Sequence, residues 1–332
     1  MVSTYKWSTS SLYVSARRTF SKRSISGDYR NWNTNVFAPY VQVSSDNEVS
    51  SSKVINKTGS KYFTYGFLNA KSVNGEEIPY WDGGRGAYNK GELDSDMETV
   101  KKNGGNIIIS FGGADGRELA TVIENESKLY KAYENVINYF KLTWIDLDIE
   151  GEMLKKSGAN SRRNKVMKKL KENYPNLVVA YTLAASYSNG LEKEGRNLLK
   201  DAYKQGLQVD VVNVMAMDYD TVGEKDGKKK MGQYAIQTAE KAYEQIKEIG
   251  FKNTKIGITP MIGRNDSRNE IFTLDNAREV LEYAQSHNWI RLLSFWSINR
   301  DNGNGGNSSE VSDSYSSIKQ DLFAFSNIFK EF

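Results

Sequence analysis

The sequence predicts an α/β fold, a (β/α)8 TIM barrel in a single domain, from three observations. Short runs rich in β-branched and aromatic residues alternate with amphipathic stretches of helical period. Eight such runs follow one another across about 300 residues. Each run is apolar early and polar late, the polarity expected where barrel strands deliver side chains to their carboxyl ends. Strands alternating with helices call for a mostly parallel sheet, and eight pairs suit a closed barrel better than an open sheet. A doubly wound sheet usually carries a glycine-rich phosphate loop after its first strand, and Val43-Ser44-Ser45-Asp46 is no such loop.

Taken in order, the expected strands cover residues 36–43, 61–70, 106–113, 142–150, 177–186, 209–220, 254–263 and 290–300. The expected helices cover 93–102, 127–140, 161–174, 194–205, 231–249, 274–287 and 316–332, with a weaker helix of uncertain limits between the first two strands. Gly104, Gly206 and Gly250 stand where a left-handed residue ends a helix. The late polar residues are Asn69, Ser110, Glu150, Ser186, Asp220, Asn265 and Asn299. Residues 1–34 differ from the rest: they are rich in Ser and Arg, with Arg17, Arg18, Lys22, Arg23 and Arg30 against Asp28. This segment reads as an appendage, a flexible arm or the remnant of a linker, and the barrel is expected over 35–332. It has no uninterrupted apolar core of a signal peptide.

Composition removes several classes of chemistry. The 332 residues are 39% hydrophobic and 26% charged, ordinary values for a globular protein. No run of eighteen apolar residues is present, so no transmembrane helix is expected. A net charge of +4 on 45 basic and 41 acidic side chains, without a basic stripe, argues against a nucleic-acid partner. Cys is absent, which excludes thiolate nucleophiles, disulfides and zinc-thiolate sites. A single His, His287, makes a metal cluster or a Ser-His triad improbable, and neither metal nor cofactor is expected. Acid–base chemistry must then rest on carboxylates, Tyr or Lys. The 20 Tyr and 6 Trp suit stacking on the flat faces of sugar rings, although on composition alone a Tyr-rich core and surface is the favoured account.

The fourth expected strand carries the chemistry. In Trp144-Ile145-Asp146-Leu147-Asp148-Ile149-Glu150 the acids alternate with apolar residues. Residues two apart in a strand share a face, with a repeat of roughly 6.6–7 Å. Asp146, Asp148 and Glu150 would therefore point into the barrel while Ile145, Leu147 and Ile149 face the helices. Stacked carboxylates in an interior are costly unless they share protons or hydrogen bonds. Their repulsion raises the pKa of at least one, the condition that a general acid near neutral pH needs. A structural acid cluster or a divalent metal site is the bland alternative; a metal site would more readily gather ligands from several strands.

These residues resemble the DxDxE core of the family-18 chitinases, within the longer signature DGxDxDxE. Other strands agree in order. Ser110-Phe111-Gly112-Gly113 resembles the family's SxGG, Met217-Asp218-Tyr219-Asp220 its MxYD, and Trp296 stands where the family keeps the Trp that floors the sugar pocket. The likeness runs from about Phe37 to Phe332. It is nearest to compact bacterial members, through Phe37-Ala38-Pro39-Tyr40-Val41, Met215-Ala216-Met217-Asp218-Tyr219 and Thr259-Pro260-Met261-Ile262-Gly263. Thr143 and Trp144 depart from it, replacing the first Asp and Gly of the longer signature.

The resemblance implies a hydrolase that cuts chitin or N-acetylglucosamine oligosaccharides with retention, the substrate's own acetamido group serving as nucleophile. It implies that Glu150 is the acid, that Asp148 orients the acetamido N–H, and that Asp146 holds the partner proton. Tyr219 would fix the acetamido carbonyl, and Asp220, Met217 and Trp296 would contact sugar. Ser110, Gly112 and Gly113 serve substrate contact or close chain approach. Met261, Asn265 and Asp266 are expected to border the cleft. Trp81, in Trp81-Asp82-Gly83-Gly84-Arg85-Gly86, is an outer sugar platform or a loop anchor. About ten residues separate Gly263 from the next helix, too few for the α+β insertion of some members, so an open cleft and endo action are expected. A monomer without a membrane partner, and secretion, complete the expectation. An endo-β-N-acetylglucosaminidase acting on the chitobiose core of N-glycans shares the acid ladder. A non-catalytic glycan-binding barrel is disfavoured because Glu150 is present.

Overall fold

The computed structural model describes residues 32–43, 49–114 and 116–332. Most of the expected appendage, 1–31, lies outside the described residues. Within them, parallel pairs link successive barrel strands in chain order. Tyr62–Val73 pairs with Asn106–Gly112, which pairs with Trp144–Asp148, then Val178–Ser186, Val211–Met215, Lys255–Thr259 and Ile290–Leu293. The first barrel strand is split at Ala38-Pro39, where Pro39 has no N–H to give a ladder. Its two halves look to opposite neighbours. Val36–Phe37 pairs with Ile290–Leu293, and Tyr40–Gln42 with Tyr62–Val73. The ring is thus joined through a broken strand. Bonds from Ala38 N to Leu293 O (2.9 Å), Tyr40 N to Phe295 O (3.1 Å) and Thr64 N to Pro39 O (3.0 Å) carry it across the break.

Strand alternation sorts the interior into layers. The floor is apolar: Val36, Ala38, Tyr62, Ile108, Trp144, Ala180, Val211 and Leu292 pack together, with Trp32 against them. Trp144 is fully buried, and its ring meets Trp32 edge-on at 5.0 Å and lies under the Arg291 guanidinium. Truncating such a side chain to Ala costs about 3–5 kcal/mol. This explains the departure at 143 and 144. Trp144 plugs the bottom of the barrel, and Thr143 Oγ1 accepts the Trp32 indole N–H at 3.0 Å. Above the plug lies a polar layer, and above that the mouth.

The helices follow from local chemistry. In Glu126–Phe140 the side chain of Asn125 accepts the amides of Ser127 and Lys128, and Leu129, Tyr133, Val136, Ile137 and Phe140 make one buried stripe. Thr273 and Asn276 form a capping box ahead of Leu274–Gln285. Between helices Glu126–Phe140 and Ser157–Asn173, Arg163 and Glu118 form an ion pair at 2.5 Å with both side chains fully buried. The Tyr133 hydroxyl also donates to Glu118. No helix among the described residues is long and apolar enough to cross a membrane.

Three expectations need correction. The strand expected over 209–220 ends at Met215, and that expected over 290–300 ends at Leu293. Beyond each, the chain turns to build the mouth. The helix expected over 316–332 is reduced to Ala324–Phe329, where Asp301 accepts the amides of Phe325 and Ser326. A hairpin was not foreseen: Glu76–Trp81 returns antiparallel to the second barrel strand after Asn74-Gly75, both at positive φ. Asn-Gly is the favoured dipeptide for such a turn and was the available signal. After the seventh strand the chain makes only a short antiparallel pair, Gly263–Arg264 with Ile271–Phe272.

Candidate active site

Asp146 and Asp148 sit on the fourth barrel strand with their side chains inward, and Glu150 follows at its carboxyl end. Asp146 is buried in the polar layer. Its Oδ2 accepts Ser110 Oγ at 2.6 Å and the Tyr40 hydroxyl at 2.9 Å, and its Oδ1 accepts Thr182 Oγ1 at 2.8 Å. The network continues outward: Asn213 Nδ2 donates to Thr182 Oγ1 at 3.0 Å, and Thr259 Oγ1 donates to Asn213 Oδ1 at 2.8 Å. Five barrel strands besides the fourth thereby hold one carboxylate, three directly and two through one or two intermediaries.

Asp148 is as deeply buried, yet its Oδ1 has no hydrogen-bond partner. Burial raises both carboxyls. For Asp146 the hydrogen bonds from Ser110, Thr182 and Tyr40 oppose that rise. For Asp148 nothing opposes it: burial, then the charges of Glu150 and Asp146, push it well above the usual carboxylate range. Asp148 is thus the more strongly raised of the two, and Asp146 is the better stabilised anion. Glu150 is half-buried and faces the cleft.

The cleft has a volume of about 920 Å³ and opens at the carboxyl ends of the strands. Asp148, Glu150, Met217, Tyr219, Asp220, Met261 and Trp296 line it, as do Tyr40, Phe67, Asp218 and Asp266. Trp296 stacks on Phe67 with centroids 5.6 Å apart and planes 13° apart, and Tyr40 leans on both rings at 5.9 Å. A sugar-sized apolar floor thus adjoins the acids. The segment 189–196, which runs through the short strand Gly190–Leu191 into the helix Lys193–Gln205, extends one wall with Glu192, Glu194 and Arg196.

This geometry matches known proteins. No family model matches the chain. A probable bifunctional chitinase/lysozyme of Escherichia coli is 29% identical over 328 residues, which covers 95% of this chain and 36% of that protein. Endochitinase 11 of Metarhizium anisopliae is 28% identical over 298 residues, covering 85% of this chain and 56% of the relative. The chain thus spans about a third and about half of those relatives' lengths. The crystal structure of the catalytic domain of the hyperthermophilic chitinase from Pyrococcus furiosus superposes with a TM-score of 0.78 at 29% identity, covering 90% of this chain and 95% of that one. Over nearly its whole length the chain is similar to these chitinase domains.

The structure redistributes several of the roles expected from the sequence. Tyr219 is 7% exposed, and its hydroxyl is hydrogen-bonded with Thr238 Oγ1 at 3.0 Å, on the helix Met231–Ile249. Its ring meets Tyr187 edge-on at 5.3 Å. The phenol, which the resemblance assigns to a substrate carbonyl, is thus placed against the helix layer in a residue that also lines the cleft. The physical reason is the early end of the sixth strand. Past Met215 the two-residue alternation no longer holds, and Asp218 (φ 48°) and Asp220 (φ 58°) are both left-handed. Asp218, not singled out from sequence, lines the cleft, and its Oδ1 accepts the Ser267 amide at 2.9 Å. Asp220 lines the cleft as well, accepting Ser267 Oγ at 2.6 Å.

Ser110 is fully buried and acts on Asp146, not at the cleft surface. Gly112 and Gly113 serve close chain approach. A Cβ on Gly112 would stand 1.9 Å from the Asp148 carbonyl oxygen, and one on Gly113 2.5 Å from the Phe67 ring. The Gly113 amide donates to that same Asp148 carbonyl at 3.1 Å. Both glycines thus fix the acid strand. Trp81 is 3% exposed at the end of the hairpin strand and packs edge-on against Phe140 at 6.1 Å. Of its two readings it takes the anchor. Asn265 is buried, bonded to Met261 O and Gly263 O, whereas Asp266 reaches the cleft. His287 stacks on Tyr283 at 3.9 Å, at the opposite end of the barrel.

Sequence reasoning missed Tyr40, Thr182 and Asn213 as parts of the acid network. Each is a polar residue at an inward position of an otherwise apolar strand. That alternation was the available signal.

Proposed function

We propose that the protein hydrolyses β-1,4-linked N-acetylglucosamine polymers, chitin or its oligosaccharides, cutting within the chain and retaining anomeric configuration. One observation carries this reading: a buried Asp148 with an unpartnered oxygen lies on the acid strand between a firmly hydrogen-bonded Asp146 and Glu150, in an open cleft that Trp296 also lines. The names of the relatives support the substrate, and mutants of the Pyrococcus furiosus domain have been crystallised with chito-oligosaccharides.

In this mechanism Glu150 gives its proton to the glycosidic oxygen as the bond to the anomeric carbon breaks. The carbonyl oxygen of the sugar's 2-acetamido group bonds to that carbon from the opposite face, forming an oxazolinium ion. Asp146 takes up the Asp148 proton, and the freed Asp148 carboxylate accepts the acetamido N–H and balances the ring's positive charge. Water then attacks the anomeric carbon, opens the ring, and passes a proton to Glu150. A buried carboxyl with an unpartnered oxygen suits this exchange because a new N–H partner outweighs no existing bond.

Proton NMR of the first product from chitotetraose and longer oligomers tests the reading, alongside a high-mannose glycoprotein. The β-anomer and internal cuts are expected. Disaccharide released only from one chain end would exclude endo action, an initial α-anomer would exclude retention, and glycan release without oligomer cleavage would favour the N-glycan core. Secretion belongs to the same reading, since insoluble chitin is not met inside the cell.

A further inference from the structure

Past the sixth strand, Met217 and Asp218 enter the cleft wall on a turn whose shape is held by the neighbouring loop, 265–270. Two left-handed non-glycine residues, Asp218 and Asp220, make that turn costly in isolation. Glu270 lies beneath it, 1% exposed. Its Oε2 accepts the Tyr219 amide at 3.1 Å, its backbone N–H donates to Ser267 O at 3.0 Å, and its carbonyl accepts the Asn265 amide at 3.0 Å. Asn265 Oδ1 accepts the Asp218 amide at 3.4 Å, and Ser267 donates to both Asp218 and Asp220. Glu270 is the one charged side chain within this lattice that reaches under the turn without entering the cleft. Its other oxygen, Oε1, is buried with no partner.

A carboxyl placed there for stability alone would be a poor choice. It stands among acids, and an amide of the same shape would accept the same N–H without a buried charge. We propose that Glu270 is a positioning residue of the active site, holding the 217–220 turn so that Met217 and Asp218 meet the sugar at the reacting centre. The proposal rests on the hydrolysis reading above for its effect on turnover, but not for its effect on the turn. The groups facing Glu270 are Asp218, Tyr219 and Asp220 from the turn, while Asp266 from its own loop acts on Asp218. Arg300, after the eighth strand, lies within reach of Asp218 and Asp266. Burial and the two turn aspartates push the Glu270 carboxyl up to about 7, against the turn amides, which favour its charged form.

Two measurements on the full chain test this. In amide NMR, the Tyr219 N–H resonance of the wild type is expected to titrate with a midpoint near 7, and Glu270→Gln to abolish that titration while keeping the resonance near its low-pH position. A Tyr219 amide that ignores pH, or titrates equally in Glu270→Gln, would overturn the proposal whatever the substrate. On a chito-oligosaccharide, Glu270→Ala is expected to lose at least tenfold in kcat/KM at a temperature where it remains folded, with Glu270→Gln within threefold of wild type. Near-wild-type turnover by Glu270→Ala would sink the positioning role. A wild-type chain that cuts no N-acetylglucosamine oligomer would instead sink the hydrolysis reading, and the amide titration would still decide whether Glu270 holds the turn.

Discussion

Asp146 accepts three hydroxyl hydrogen bonds, while Asp148, two residues along the same face, keeps an oxygen with none. Two carboxyls with the same burial are thereby given opposite tendencies. One is prepared to carry negative charge and the other to carry the proton, and the difference comes from Tyr40, Ser110 and Thr182 on three other strands.

The first consequence concerns stability against pH. Asp148, raised in the folded chain, keeps its proton to higher pH there than in the unfolded chain, where it is released at about pH 4. This group therefore favours folding most below about pH 4, and its contribution is lost as pH rises toward the raised folded pKa. Asp148→Asn carries no charge to desolvate. It is expected to raise Tm at pH 8, by on the order of 2–4 °C for each kcal/mol relieved, and to leave Tm nearly unchanged at pH 4. Calorimetry at both values checks this; an equal shift at the two would rule out the buried charge as the cause.

Glu150→Gln keeps the shape of the acid but has no proton to deliver. Turnover of chitotetraose is expected to fall by about 10²–10⁴, with binding by calorimetry changed less than threefold. Hydrolysis at the parental rate would remove Glu150 from the mechanism.

Tyr219→Phe separates the sequence reading from the structure. Since the hydroxyl is spent on Thr238, the variant is expected to lose about 1 kcal/mol of stability and less than threefold in kcat. A hundredfold fall in kcat with unchanged stability would restore the phenol to the substrate.

The Arg163–Glu118 pair lies outside the barrel interior, between helices, with no exposed surface on either side chain. Arg163→Met leaves Glu118 charged and buried with the Tyr133 and Ala120 donors alone, and is expected to cost about 3–5 kcal/mol in urea unfolding. Adding Glu118→Gln should recover part of that loss while kcat stays near wild type in both. An additive pair of losses would show that the two side chains do not act on each other.

Much of this was legible in the sequence because periodicity records which way a side chain faces. The alternation of acids with Ile145, Leu147 and Ile149 placed Asp146, Asp148 and Glu150 on the inner face, and the eight-fold rhythm placed their strand in the ring. The limits of that reasoning appear where the chain leaves regular structure. The resemblance at Met217-Asp218-Tyr219-Asp220 put the Tyr219 hydroxyl toward the substrate, but the chain turns through left-handed Asp218, and the phenol packs against the helix layer.

Sequence alone determined the fold class, the acid ladder and its orientation, since these depend on local periods of two and of about 3.6 residues. The tertiary structure decided which acid holds the proton, that Trp144 plugs the barrel floor where the family signature has Gly, and that Glu270 lies under the 217–220 turn. Each of these depends on residues 36 to 112 positions apart in the chain, or on the density of groups around a buried charge. Hydrogen bonding and desolvation act through space, and no spacing along the chain encodes them.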